Sequence, residues 1–335
     1  MRFSIPSALA ASAAAGALLA GCSNATSAPT QSTGFTPAAL QRAAVSPYGH
    51  LKPHGRRPAW MKAAPDAAYT GLAVAQFGSN SVLKFKKKTN RKNRPPIVCA
   101  PATSTNGIRV DRGGNLWVPN GIADSTTKYA PNCGAALLTI PDPTGEPADV
   151  ALDSSGNVYI LNINNLSGPP TVQVYAPDGS QIGTLSDPSF NVLFGVGVDR
   201  HDNVFVSNLT SSNVGNVVEF AGGKMPGTQL SGISLGLPGT PAFDSNGNLI
   251  ISDWLAGTLD VFAPPYASPP STSPLMGASI WCPLGYHQKR VYCGDAENGS
   301  IDVYAYPGGA YLYSYTAALS PSALVTGVSP YPPMK

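Results

Sequence analysis

The chain has 335 residues, of which 43% are hydrophobic, so it is long enough to bury a large core. Only 12% of its residues are charged, and the formal net charge is +3. Glycine (35 residues) and proline (33 residues) occur along the whole chain, which predicts many short elements joined by turns and excludes a fold of long helices.

The N-terminus carries an export signal. Its first 22 residues, MRFSIPSALAASAAAGALLAGC, place one Arg before an apolar run of small residues that ends at Cys22. This run is too short and too lightly flanked for a membrane-spanning helix. Its last four residues, Leu19-Ala20-Gly21-Cys22, resemble the lipobox of bacterial lipoproteins, in which the cysteine is acylated, with palmitate for example, and becomes the new N-terminus. A plain secretory signal with an incidental cysteine is the alternative.

The lipobox resemblance implies a location. The chain is expected to be exported and anchored to the bacterial cell envelope by acyl chains, which hold it on the membrane without spanning it. Ser23 follows the cysteine, and in a Gram-negative cell this residue implies sorting to the outer membrane. Nucleic acid is not expected as a partner of an exported protein.

Composition divides the rest of the chain. Residues 23–68 are rich in Ser, Thr, Ala and Pro and hold few large apolar residues, so we expect a disordered tether. Residues 69–330 contain sequence repeats and form the predicted folded domain, and residues 331–335 form a short tail.

Four cysteines remain after Cys22, and disulfides are permitted in an exported chain. We expect Cys282 to pair with Cys293, because the two flank one predicted hairpin, and Cys99 to pair with Cys133. A metal site that uses His287 between the hairpin cysteines is the alternative, although the sequence has no close CxxC pair.

One segment is strongly basic. Lys84 to Arg94, KFKKKTNRKNR, holds 7 of the 21 Lys and Arg residues and no acid, which leaves 14 basic against 18 acidic residues elsewhere. It is predicted to be a solvated hairpin loop. The functional alternative is a contact with anionic lipid headgroups, a polysaccharide or another polyanion.

The sequence repeats itself with a period of about 44 residues. Each unit has an apolar strand ending in Asp, a turn with Gly-Asn or a similar pair, a second strand, a polar residue, and a third strand ending in an aromatic residue. The first-strand aspartates are Asp111, Asp153, Asp199 and Asp244, with Cys282 and Ser329 expected at the equivalent positions of two further units. The third-strand aromatics are Phe85, Tyr129, Tyr175, Phe220, Phe262 and Tyr304. Six aromatics predict six units.

The ends of the array predict a closed ring. The first unit lacks a first strand, and the segment SALVTGVSP from Ser322 to Pro330 resembles the missing strand. The fold class is therefore all-β, a six-bladed β-propeller closed by pairing the C-terminal strand with the first blade.

The motif GVGVDRHDNVFVSN and its partners TVQVYAPDG and SIDVYAYPGG resemble the NHL-repeat family of six-bladed propellers. The resemblance covers the whole predicted domain. It implies the architecture but leaves the activity open, because such propellers serve as binding platforms and receptors and, in related groups, as lactonases and lyases.

Propeller topology predicts where a ligand would bind. The loops after the second strands begin at Gln76, Asn120, Asn162, Asn208, Asp253 and Asp295, on the face that also carries the connections between blades. Apolar residues follow these polar ones and form a candidate binding rim: Phe77, Ile122, Ile163, Leu209 and Trp254. An exposed apolar ring beside amides would be a binding surface, whereas the alternative is a plug of side chains that fills the channel mouth.

Enzyme chemistry is the alternative to binding. A propeller hydrolase of the lactonase or esterase type would hold Ca²⁺ or another divalent cation in the central channel, and Glu146, Asn208 and Asp253 could be its ligands. The sequence has no GxSxG elbow, and His201 falls in a turn on the opposite face. We therefore favour a non-enzymatic module without a cofactor that binds an envelope protein, peptide or glycan, and we keep the hydrolase as the alternative.

Overall fold

The computed structural model describes the following residues: 71–77, 81–85, 97–101, 107–143, 145–163, 168–275, 284–287, 289–295, 300–315 and 324–331. The predicted signal, Cys22 and the predicted tether lie outside these residues. Apart from one 3-10 turn at Ala221–Gly223, the described residues form strands, turns and loops. No helix among them is long and apolar enough to cross a membrane.

The strands form six four-stranded antiparallel sheets, which are the blades of a propeller. Blade 1 contains the first described strands, β1 (Gly71–Phe77), β2 (Ser81–Phe85) and β3 (Ile97–Pro101). Blade 2 consists of β4 (Arg109–Val110), β5 (Leu116–Asn120), β6 (Ser125–Tyr129) and β7 (Ala136–Pro141). Blade 3 consists of β8 (Glu146–Leu152), β9 (Val158–Ile163), β10 (Thr171–Tyr175) and β11 (Gln181–Leu185).

The second half of the chain repeats this pattern. Blade 4 consists of β12 (Val192–Val198), β13 (Val204–Leu209), β14 (Gly215–Phe220) and β15 (Thr228–Gln229). Blade 5 consists of β16 (Ala242–Phe243), β17 (Leu249–Asp253), β18 (Thr258–Phe262) and β19 (Ser271–Pro274). Blade 6 consists of β20 (Leu284–His287), β21 (Arg290–Asp295), β22 (Ser300–Ala305) and β23 (Tyr311–Tyr315). The last strand, β24 (Leu324–Tyr331), belongs to blade 1.

The ring closes as the sequence predicted. Strand β24 pairs with β1 from Gly71↔Tyr331 to Phe77↔Leu324, so both ends of the described chain share one sheet. The innermost strands of the six blades are β4, β8, β12, β16, β20 and β24, and each blade contacts the next around the whole ring. The all-β, six-bladed propeller is thus confirmed.

The core lies between blades. Six clusters of buried side chains each join residues of two neighbouring blades, and Trp117, 1% exposed, lies in the cluster between blades 2 and 3. The predicted third-strand aromatics are the last residues of β2, β6, β10, β14 and β18 and the next-to-last residue of β22, and they join these clusters. Full burial of an apolar side chain of this size contributes about 1.5 to 3 kcal/mol.

The repeated aspartates stabilise turns, as predicted. Oδ1 of Asp111 accepts the backbone N–H of Asn115 at 2.8 Å, and its Oδ2 accepts the side-chain N–H of the same Asn at 2.9 Å. The same arrangement occurs at Asp153 with Asn157, Asp199 with Asn203 and Asp244 with Asn248.

The expected equivalents in the two remaining units were wrong. In blade 3, the residue before Asp153 is Leu152, which pairs with Val158 of the second strand. The equivalent second-strand residues are Val291 in blade 6 and Leu72 in blade 1, and they pair with Tyr286 and Pro330. The residues after these partners are His287 and Tyr331, so these two occupy the aspartate position, not Cys282 and Ser329. Neither unit keeps the Asp, so the sequence pattern did not mark the equivalent position.

Candidate functional site

The two faces of the ring carry different loops. We call upper face the side on which second strands pass into third strands and on which one blade connects to the next. The recurrent polar residues are the last or next-to-last residues of the second strands on this side: Gln76, Asn120, Asn162, Asn208, Asp253 and Asp295. We call lower face the opposite side, which carries the Asp–Asn turns.

The recurrent polar residue on the upper face holds the connection between blades. In blade 4, Oδ1 of Asn208 accepts the backbone N–H of Asn191 at 2.9 Å, and its Nδ2 donates to the carbonyl of Ser189 at 2.8 Å. Both partners lie in the connection that enters blade 4. Asn208 is fully buried and also donates to Oδ1 of Asn216 at 3.0 Å.

Asp253 does the same in blade 5. Its carboxylate accepts the backbone N–H of Gly236 at 2.7 Å and of Leu237 at 3.1 Å, both in the incoming connection. It also accepts the N–H groups of Leu255 and Ala256 in the following turn, at 3.0 and 3.3 Å. The carboxylate is therefore engaged with four backbone donors and is 6% exposed.

These contacts bear on the proposed cation ligands Glu146, Asn208 and Asp253. Oxygens of two of the three accept backbone N–H groups, and the three residues stand on three different blades. In the described part of the chain, no three His, Cys, Asp or Glu side chains come together as a metal-binding group. The cation site built from this trio stays a prediction.

The candidate rim is largely buried. Ile163, Leu209 and Trp254 are 7%, 4% and 4% exposed, so the expectation of an exposed apolar ring is wrong at these three positions. The reason is packing: the Trp254 ring lies edge-on to Phe194, with centroids 5.3 Å apart. Ile122 is 43% exposed, and the side chain of Phe77 lies outside the described part. The alternative interpretation, side chains that fill the mouth, describes the three buried positions better.

A group of polar residues lies at the upper junction of blades 2 and 3. Asn162, fully buried, donates through Nδ2 to Oδ2 of Asp142 at 2.7 Å, and the backbone N–H of Asp142 donates to the carbonyl of Asp124 at 2.7 Å. Glu146 begins β8 and is 7% exposed. Burial, with a smaller contribution from the charge of Asp124, raises the pKa of Glu146 to about 7.

The central channel holds a charged pair that we did not identify as a unit from the sequence. Asp149 is 4% exposed, and its Oδ1 and Oδ2 accept the backbone N–H groups of Val150 at 2.8 Å and Val196 at 3.0 Å. Arg109 donates to the carbonyls of the same two residues, at 3.2 and 3.3 Å. Two side chains thus connect the inner strands of blades 2, 3 and 4.

Electrostatics in the channel follow from this burial. Desolvation raises the pKa of Asp149 to about 6, although the charge of Arg109 and the two backbone N–H groups act in the opposite direction. Beside the pair lies a cavity of about 10 Å³, lined by residues of blades 1, 2, 3 and 5 and large enough for about one water molecule.

Small residues make room for the pair. The positions equivalent to Arg109 hold Ala151, Gly197, Ala242, Gly285 and Ser329. Gly107 faces Asp149 so closely that a Cβ atom there would overlap the carboxylate. One long side chain among small ones at a fixed repeat position is the sequence signal that could have found Arg109.

The basic segment begins differently from its prediction. Lys84 is 5% exposed and lies within β2, where its Nζ donates to the carbonyls of Gly114 at 3.2 Å and Pro131 at 2.7 Å. Burial lowers the pKa of Lys84, against the charge of Asp111. This lysine therefore binds blade 2 instead of solvent or a polyanion. Residues 86–94 lie outside the described part, and their polyanion contact stays a prediction.

One predicted disulfide is confirmed. Cys99 in β3 and Cys133, which follows β6, are bonded with their Cα atoms 4.9 Å apart, so the bridge joins blades 1 and 2. Cys293 is also disulfide-bonded. Its predicted partner Cys282 lies outside the described residues, and that pairing stays a prediction.

Comparisons with solved structures agree on the fold. A chain of the crystal structure of a nidogen–laminin complex has a TM-score of 0.67 at 17% identity and covers 78% of this chain and 98% of its own. A protein of unknown function from Bacteroides caccae gives 0.56 at 14% identity, with coverage of 80% and 100%, and a streptogramin B lyase gives 0.49 at 11%, with coverage of 76% of each chain. No protein-family model matches the sequence, and no curated protein does. The first two likenesses support the six-bladed β-propeller fold.

Proposed function

We propose that the chain is a lipid-anchored cell-envelope protein whose propeller is a non-enzymatic binding or scaffolding module for a protein, peptide or glycan. The observation that carries the proposal is the use of polar groups at the upper face and in the channel. Asn208, Asp253 and Asp149 direct their oxygens to backbone N–H groups of neighbouring segments. These groups make a rigid ring, which suits a platform on which surface loops differ from blade to blade.

The charge of the channel supports the same conclusion. The guanidinium of Arg109 is held among the inner strands of three blades by two carbonyl groups. A fixed positive charge at this depth opposes a divalent cation placed beside it, because Coulomb interactions are strong where water is excluded. A channel cation, which the hydrolase alternative needs, would have to overcome this repulsion.

The hydrolase alternative rests on Glu146. A carboxyl group with a pKa of about 7 is suited to general acid–base chemistry at neutral pH, and Glu146 begins β8 at the upper face. We keep this alternative for that reason.

One experiment separates the two functions. The purified full chain is assayed with a panel of lactones and aryl esters, with and without Ca²⁺, and is applied in parallel to peptide and glycan arrays. The binding function predicts selective retention on an array without turnover. Turnover that Glu146→Gln abolishes while the fold is kept would establish the hydrolase instead.

The anchor needs a separate test. Palmitate labelling of cells that express the chain should mark the wild type, and Cys22→Ser should remove the label and release the protein from the membrane fraction. A label that persists in the variant would contradict acylation at Cys22.

A further inference from the structure

The two faces of the propeller differ in charge. All eight Lys and Arg residues in the described part lie at lower turns, at the lower ends of strands or, for Arg109, in the channel: Lys84, Arg109, Arg112, Lys128, Arg200, Lys224, Lys289 and Arg290. None of them lies at the upper end of a strand or in an upper loop.

The sequence extends this pattern to the segments that join second to third strands and one blade to the next. No Lys, Arg or His occurs in the loops between second and third strands, residues 78–80, 121–124, 164–170, 210–214, 254–257 and 296–299. None occurs in the connections between blades either, residues 102–108, 142–145, 186–191, 230–241, 275–283 and 316–323. These segments and the strand ends beside them hold seven acids: Asp124, Asp142, Glu146, Asp187, Asp253, Asp295 and Glu297.

The acids concentrate where blades 2 and 3 meet. Asp124 is exposed, whereas Asp142 and Glu146 are 1% and 7% exposed. The charge of Asp124 contributes to the raised pKa of Glu146, so the two carboxyl groups interact. The eight described Lys and Arg residues lie away from this junction, and a group of acids on a surface attracts a cation from outside.

A second observation at this junction points to a missing donor. Asn162 uses its Nδ2 to bind Asp142, while Oδ1 of the same amide is buried and accepts no hydrogen bond in the structure. Buried acceptors are nearly always satisfied, so a buried acceptor without a donor calls for an explanation. An N–H group of a ligand would be such a donor.

Exposed apolar side chains lie on the same face. Ile122 is 43% exposed and stands two residues before Asp124, and Val214 in the corresponding loop of blade 4 is 42% exposed. A small cation would gain nothing from these aliphatic groups, whereas a peptide with aliphatic side chains would.

We propose that the upper face binds a polypeptide segment that carries Lys or Arg together with aliphatic side chains, with a basic side chain at the junction of Asp124, Asp142, Glu146 and Asn162. The proposal rests on the binding function above and names its partner class. Phosphate groups, acidic peptides and anionic lipids are disfavoured on this face by charge.

The test measures binding of labelled repeat peptides to the purified full chain by fluorescence anisotropy. A Lys-Leu peptide should bind, a Glu-Leu peptide should not, and added salt should weaken the binding. Asp124→Asn should weaken the Lys-Leu peptide about threefold, the usual scale for an exposed ion pair. Asn tolerates the positive φ of 44° at this position, so the variant keeps the loop conformation.

Matched controls come from the lower and outer surface. Asp178→Asn removes an exposed carboxylate from a lower turn and should leave peptide affinity unchanged. Ile122→Ser should weaken the Lys-Leu peptide but not a Lys-Gly peptide, whereas Leu137→Ser, at a residue 56% exposed on outer strand β7, should weaken neither.

The outcomes separate this inference from the binding function itself. Equal losses for Asp124→Asn and Asp178→Asn would overturn the upper-face site. If Ile122→Ser weakened binding of the Lys-Leu and Lys-Gly peptides to the same degree, the ligand would be a simple cation and not a polypeptide. Displacement of both peptides by spermidine to the same degree would lead to the same conclusion. If the chain retained neutral or acidic array ligands, and Asp124→Asn retained them equally well, the inference would be overturned while the binding function would stand. Ester turnover without array retention would overturn both.

Discussion

Arg109 donates from its guanidinium to the carbonyl of Val196 at 3.3 Å, across the channel and 87 residues along the chain. Through this bond, blade 2 contacts blade 4, which is not its neighbour in the ring. The channel of this propeller is thus a site of cross-linking between blades, and stability should be sensitive to it.

Removal of Arg109 should destabilise the ring. Arg109→Met keeps much of the side-chain volume but removes the donors to the carbonyls of Val150 and Val196, and a hydrogen bond to a charged group contributes about 1.5 to 3 kcal/mol. The measurement is urea unfolding at neutral pH. Arg112→Met, in an exposed lower turn, is the matched control and should change the free energy of unfolding by less than about 0.5 kcal/mol. Equal effects of the two variants would contradict the cross-link.

Stability should fall as pH rises through weakly acidic values. The folded state raises the pKa of Asp149 from 3.8 to about 6 and that of Glu146 from 4.5 to about 7. Between these limits the folded chain holds protons that the unfolded chain has released, so the contribution of these two groups to the free energy of unfolding falls with pH and then levels off.

The pH prediction is checked with two chains. Urea midpoints of wild type and Asp149→Asn are compared between pH about 4 and pH about 7, the window of the two pKa shifts. The variant should lose less stability over this window because it lacks one of the two titrating groups. Equal changes in the urea midpoints of the wild type and the variant over this window would contradict the raised pKa of Asp149.

The architecture could be predicted from the sequence because it is repeated. Six copies of one strand pattern specify six blades, and the aromatic at the end of β2, β6 and their equivalents marks each copy. The Asp–Asn turns were predicted for the same reason: Asp153 and Asn157 are local partners, four residues apart.

The site could not be predicted in the same way. Whether Ile163 or Trp254 is exposed depends on how the connections fold over them, and no local pattern encodes those contacts. Lys84 was assigned to a solvated loop by its neighbours in sequence, yet its Nζ lies against carbonyls of residues 30 and 47 positions away. The charge of a whole face could be determined only once the topology had assigned each loop to the upper or the lower face.

The disulfide between Cys99 and Cys133 should stabilise the contact of blades 1 and 2. It closes a loop with a sequence separation of 34 residues, for which chain entropy in the unfolded state predicts about 3 to 4 kcal/mol. The double variant Cys99→Ser/Cys133→Ser should lower the urea midpoint by the corresponding amount. A peptide map under non-reducing conditions should show the bridge in the wild type. Unchanged stability on removal of a bridge that the map does show would contradict the entropic argument.

Removal of the closing strand should prevent stable folding. A chain that ends at residue 323 lacks β24, which leaves the inner edge of β1 unpaired and exposes Leu72 and Val74, both fully buried in the closed ring. An unpaired apolar edge pairs with other chains, so this truncation should aggregate and lose its cooperative unfolding transition. A chain that ends at Tyr331 keeps every strand of the described part and is the matched control. Its unfolding and its elution in size-exclusion chromatography should equal those of the full chain. If the shorter chain were monomeric and unfolded at the same midpoint as the control, the pairing of β24 with β1 would not be what holds the ring together.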